Sequence, residues 1–246
     1  MDDIVYYLLS ALAVLIALTV HEYCHGYAAY RLGDNTARNL GRLSLNPIKH
    51  LDPIGALCMV FFHVGWAKPV PINPRNFKKP KSGFALTALA GPVSNILLGF
   101  LTAGVYLLTY ALLRDVRFTE QNLAYNLASN LLLFLYIFHV INVGLGVFNL
   151  LPIPPFDGSR LLNVILPERI YFSIMRYERQ IYFGVLGWLL LGSYVKRALL
   201  AIPLISTSPM LSAIAGLFSL SDLLSVAIGG LSKLIFDLWQ LIPFLA

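Results

Sequence analysis

Residues 4–26 read IVYYLLSALAVLIALTVHEYCHG, and this stretch decides how the rest of the chain is read. Its first seventeen residues, Ile4 to Val20, carry no charge, most of the roughly 20 apolar residues a helix needs to cross hydrocarbon. Directly behind them stand two imidazoles and a carboxylate, His21, His25 and Glu22, groups that are costly inside a membrane and mark function when found there. On a helix, positions i and i+4 lie about 40° apart in projection, so both imidazoles can reach one point beside the axis. That pair supplies two of the ligands of a tetrahedral zinc, and Glu22, next to the first, is placed to act as general base on water. The competing explanation is polar residues closing a helix end, and the cost of burial weighs against it.

The 246 residues are 58% hydrophobic and 12% charged, with a mean hydropathy of +0.72, which excludes an ordinary soluble domain. The start Met1-Asp2-Asp3 is acidic and no A-x-A-like site follows, so the first apolar run is expected to remain as a transmembrane helix. Further uncharged runs are Phe84 to Leu113, Leu123 to Phe156, Ile181 to Val195 and Ala198 to Ser221, the last broken by Pro203 and Pro209. Ile181 to Val195 is expected to extend to about Leu200, with Lys196 and Arg197 snorkelling. Asp222, Lys233 and Asp237 leave the C-terminal count open. The expectation is an all-α polytopic membrane protein of about five to six transmembrane helices. Ile54 to Trp66 spans only roughly 20 Å as a helix and reads as a re-entrant or interfacial segment. The prolines of Ala67 to Pro74 then favour a small extended or β element before the second long helix.

Charge is uneven. Nine of the eighteen Lys and Arg lie between Arg31 and Lys81, against Asp34 and Asp52 alone. Between membrane segments this follows the positive-inside rule, needs no nucleic-acid partner, and makes the stretch cytoplasmic. The N-terminus is then outside, and Asp157 to Arg179 returns to the cytoplasmic side. Cys24 and Cys58 form no C-x-x-C pair, so no disulfide framework is expected.

A catalytic zinc commonly has three protein ligands. His50, His63, His139 and carboxylates are candidates for the third, and Asp157 stands out. It follows NLLPIPPF at 149–156, where prolines end the helix, and Gly158 lets the chain turn beside it on the side where helix one delivers the histidines. The plainer role for Asp157 is an N-cap, which does not exclude ligation. Asn95, in GPVSN at 91–95, lies roughly 17 Å past Phe84, and His21 lies roughly 15 Å before Arg31, so the two share a depth. Its carboxamide is a candidate oxyanion donor or a bridge between neighbouring helices.

Together, HEYCH at 21–25, GPVSN at 91–95 and NLLPIPPFDG at 149–158 resemble the site-2 proteases, intramembrane zinc metalloproteases, over roughly residues 4–165. Phe156 departs from the Leu usual before Asp-Gly. The resemblance implies that His21, His25 and Asp157 bind one Zn2+ per chain and that Glu22 activates water. It also implies that Asn95 and Asn149 support the substrate or transition state. Residues 65–76 look like the extended element beside the active site in such enzymes. Residues 1–165 would form the metalloprotease core and 166–246 a C-terminal helical region of the same membrane domain, a compact branch with neither PDZ nor CBS domain. The expected partners are a transmembrane protein substrate and the lipid bilayer, in a multi-pass protein of the bacterial inner or plasma membrane. The alternatives are a membrane transporter, or a non-cleaving binder, built around the same metal site.

Overall fold

The computed structural model describes residues 3–52, 55, 67–116 and 122–245. All regular structure among them is helical. The long helices are α1 (Asp3–Arg31), α3 (Pro80–Leu113), α4 (Leu123–Asn149), α7 (Glu178–Leu200) and α10 (Leu220–Trp239). Shorter ones are α2 (Thr36–Asn39), α5 (Leu162–Ile165), α6 (Glu168–Arg176), α8 (Pro203–Thr207) and α9 (Pro209–Gly216). Four helices, α1, α3, α4 and α7, are long and apolar enough to cross a membrane. The count rises to five if α9 and α10, bent by 89° at their junction, form one broken span. The prolines of the C-terminal uncharged run open α8 and α9 and so divide it into short pieces. Helix α7 does reach Leu200, but Lys196 is bound by Asp222 of α10 at 2.5 Å.

Helices α1, α3 and α4 pack into one core through small residues and interlocking apolar side chains. Ala13 and Ala17 of α1 meet Ile137 and Phe138 of α4 on one side, and Ala103 of α3 meets Val143 of α4 and Ile235 of α10 on the other.

Helix α1 ends in a Schellman turn, with Gly33 at φ 111°, Gly33 N–H on Tyr30 O and Asp34 N–H on Ala29 O. This fixes Asp34, fully buried, just below the helix end. The carboxylate collects Thr36 N–H at 3.0 Å, Asn73 N–H at 2.7 Å and Asn76 Nδ2–H at 2.7 Å. Residues 67–73 are thereby tied back against α1. The expected β element is an isolated antiparallel bridge between Leu51 and Ala67, with Lys68 N–H on His50 O at 2.8 Å, rather than a strand. Three of the eight residues 67–74 are prolines without an N–H, which prevents a longer ladder. The re-entrant reading of Ile54 to Trp66 falls outside the described residues except for Gly55.

Candidate metal centre

Three chain segments deliver the site. The last turns of α1 present His21, Glu22 and His25; α3 supplies the wall they lean on; and a 3-10 turn, Asp157–Leu161, brings in Asp157. That turn follows the end of α4 and is braced from its far side. Arg160 donates to Glu178 at 2.7 Å and lies over the Phe84 ring, while Ser159 Oγ donates to Phe156 O at 2.7 Å. A Cβ on Gly158 would stand 2.2 Å from Leu150 O, so only glycine permits this return against the helix end.

His21 Nε2 stands 3.0 Å from His25 Nε2 and 3.1 Å from Asp157 Oδ2, and His25 Nε2 stands 3.2 Å from the same oxygen. Among the described residues this is the one cluster of three metal-ligating side chains within 4.8 Å of one another. The outer nitrogens decide which atoms are lone pairs. His25 Nδ1 lies 2.8 Å from Thr87 O, and a carbonyl only accepts, so Nδ1 carries a proton and the neutral imidazole has its lone pair on Nε2. His21 Nδ1 faces Asn95 Oδ1 at 2.6 Å in the same sense.

With both imidazoles neutral, three electron-rich atoms converge on one point, an arrangement that a cation among them would stabilise. Ligands of a tetrahedral zinc, at about 2.0–2.1 Å each, stand about 3.3 Å apart, close to the separations here. The residues therefore fit the metal in number, type and protonation.

Gly91 of α3 makes the fit possible. A Cβ there would meet His25 Nε2 at 2.4 Å and His21 Cε1 at 2.7 Å. Glu22 points to the other side, where its Oε2 accepts Val70 N–H at 2.9 Å. The carboxylate is thereby joined to the extended segment 67–73.

The structure separates the remaining candidates. Asn95 is fully buried, and its Nδ2 donates to Ala17 O at 3.1 Å and Asn142 Oδ1 at 2.9 Å, which engages both amide hydrogens. Asn149 Nδ2 donates to Leu145 O at 3.0 Å on its own helix. His50 Nε2 meets Ser44 O at 2.7 Å in the loop, His139 Nδ1 meets Gly99 O at 2.9 Å between α3 and α4, and neither belongs to the cluster. His63 lies outside the described residues. Three contributors were not singled out in the sequence: the Thr87 carbonyl, the Val70 amide and Asn142. The first two are backbone groups with no residue-type signal. Asn142 had one, a carboxamide inside an uncharged run.

The sequence pattern of Peptidase family M50 matches residues 9–191. YwhC of Bacillus subtilis is 41% identical over 202 residues, covering 79% of this chain and 89% of that protein. Zinc metalloprotease MJ0392 of Methanocaldococcus jannaschii is 24% identical over 169 residues, 69% of this chain and 38% of that one. Rip2 of Mycolicibacterium smegmatis is 27% identical over 96 residues, 37% of each. The chain therefore spans well under half the length of the last two. No solved structure matches. A family match over most of the chain, joined to a ligand cluster at HExxH spacing, establishes that this chain belongs to Peptidase family M50.

Proposed function

We propose that this zinc metalloprotease hydrolyses peptide bonds within or next to the transmembrane segment of another membrane protein. The observation that carries this reading is the convergence of His21 Nε2, His25 Nε2 and Asp157 Oδ2 within a membrane-spanning helix bundle, with Glu22 beside them. His21, His25 and Asp157 would hold one zinc per chain, which supplies a Lewis acid for water and for the scissile carbonyl. Glu22 takes the proton of the attacking water on its carboxylate and returns it to the leaving amine. Asp157, anionic and braced by its turn, balances the charge of the site.

A transmembrane substrate arrives as a helix, and its backbone must unwind before a carbonyl can reach the site. The extended segment 67–73, held by Asp34 and hydrogen-bonded to Glu22 through Val70, offers an edge along which an unwound strand lies next to the base. Asn149, at the end of α4 leading to the Asp157 turn, is assigned to substrate support, and Asn95 acts on the site through His21. We assign residues 1–165 to the metalloprotease core and 166–246 to a C-terminal helical region of the same membrane domain. The basic loop from Arg31 to Lys81 supports a site towards the cytoplasmic side.

Glu22→Gln tests the chemistry. It keeps the size of the side chain and removes the base, so cleavage of a single-span substrate in proteoliposomes should fall by about 10²–10⁴-fold while metal analysis finds zinc retained. Cleavage at the wild-type rate would take Glu22 out of the mechanism. Equal function in both proteins with no cleavage at all would favour a transporter or a binder.

A further inference from the structure

Asn142 of α4 is fully buried in the three-helix core, between His21's neighbour Asn95 and its own helix. Its Nδ2 donates to Phe138 O at 2.8 Å, one turn earlier, which turns its Oδ1 towards α3. That oxygen accepts Asn95 Nδ2–H at 2.9 Å, and the second hydrogen of the same Nδ2 goes to Ala17 O of α1 at 3.1 Å. Asn95 Oδ1 is then left facing His21 Nδ1 at 2.6 Å. The chain of contacts is anchored at two backbone carbonyls, Phe138 O and Ala17 O, which can only accept, so the orientation of both carboxamides is dictated. His21 Nδ1 must donate, and its Nε2 keeps a lone pair towards His25 and Asp157.

The reverse orientation shows what is at stake. If Asn95 turned over, its oxygen would face Ala17 O and Asn142 Oδ1, and an N–H would face His21 Nδ1. The imidazole proton would then move to Nε2, the atom required as a ligand. We propose that Asn142 is a positioning residue of the metal site: acting through Asn95, it holds His21 in the Nδ1–H tautomer with Nε2 free to bind the ion. This rests on the reading of His21, His25 and Asp157 as a metal site.

Groups that orient a ligating imidazole are each worth about 10–100-fold in metal affinity. Ala17 O alone still favours the correct turn of Asn95, so the lower end of that range applies to Asn142. Asn142→Leu keeps the approximate volume and removes the acceptor. Asn142→Asp, as a protonated carboxyl in this buried position, keeps an acceptor for Asn95 and an O–H for Phe138 O. Zinc affinity by chelator competition should fall about tenfold in Asn142→Leu and stay within about threefold of wild type in Asn142→Asp. In the metal-free protein, the imidazole ¹⁵N spectrum of His21 should report Nδ1–H in wild type and Asn142→Asp, with Nε2–H appearing in Asn142→Leu.

Unchanged zinc affinity in Asn142→Leu overturns the proposal, as does an equal loss in Asn142→Asp. If Asn142→Leu does not fold, the wild-type spectrum decides alone, and a His21 proton on Nε2 would be fatal. The underlying metal site is tested separately by His25→Ala, which should abolish zinc binding. Zinc binding that survives His25→Ala removes that site reading, whereas a failure confined to Asn142 leaves it standing.

Discussion

Gly91 shows how a single missing Cβ makes room for the imidazoles of the candidate metal site. The imidazoles of α1 fill the space a side chain would occupy on α3, at 2.4 Å from His25 Nε2 and 2.6 Å from His25 Cε1. The atoms in the way belong to rings that can rotate, so an added methyl need not break the helix contact. It displaces the two imidazoles instead. Gly91→Ala is therefore expected to stay folded, with a helical circular dichroism spectrum like wild type, and to lose zinc affinity by more than about tenfold. Cleavage should fall by at least about 10²-fold, the order expected for a misplacement near 1 Å. Full zinc occupancy at wild-type affinity would show that the rings can be accommodated elsewhere and that Gly91 has no part in the site. His21 and His25 were legible in the sequence because their spacing is local. Asp157 was reached by following the chain through two spans to its prolines. Asn142 was overlooked because a carboxamide in an apolar run reads equally well as helix-to-helix glue, and only the packing of α1, α3 and α4 shows whom it serves.

At the scale of an element, the segment 67–73 has little structure of its own, and its position depends on Asp34. Burial pushes the Asp34 carboxyl up, but hydrogen bonds to its charged form from Thr36, Asn73 and Asn76 outweigh it, and the group titrates below the ordinary carboxylate range. A folded value below the unfolded one, about 3.9, means that the carboxylate contributes stability in full above the unfolded value. That contribution is lost as pH falls through the folded one. Hydrogen exchange should accordingly show the Asn73 amide, which donates to Asp34, protected at neutral pH and released on acidification below about pH 4. In Asp34→Ala that amide should exchange fast at every pH, since a hydrogen bond to a charged acceptor is worth about 1.5–3 kcal/mol. Cleavage should fall by about 10–10²-fold with zinc retained. A protected Asn73 amide in Asp34→Ala would mean that the prolines hold the segment unaided. The extended character of this stretch was legible from Pro69, Pro71 and Pro74. Its anchor was not, because Asp34 and Asn73 are 39 residues apart and nothing local pairs them.

Across the whole molecule, besides the Glu178–Arg160 pair at the Asp157 turn, the C-terminal region touches the core where α10 crosses α3 and α4. Trp239 Nε1 donates to Phe100 O at 2.8 Å, and its ring occupies the space above Gly104, where a Cβ would lie 2.5 Å from Trp239 Cζ2. Ile235 packs beside Ala103 and Val143, and Phe236 lies against His139. None of these residues belongs to the His21, His25 and Asp157 cluster, which is built from α1 and the turn after α4. Stability and catalysis should therefore separate. Trp239→Ala removes a hydrogen bond to a buried carbonyl and the ring that fills the α3 surface, and should destabilise the protein by about 1–3 kcal/mol. Thermal unfolding in detergent should shift down by several degrees, while zinc affinity at 20 °C stays within about twofold. A large fall in zinc affinity at unchanged unfolding temperature would mean that α10 sets the relative positions of α3 and α4 at the site. Helix α10 would then belong to the catalytic unit rather than support it from outside.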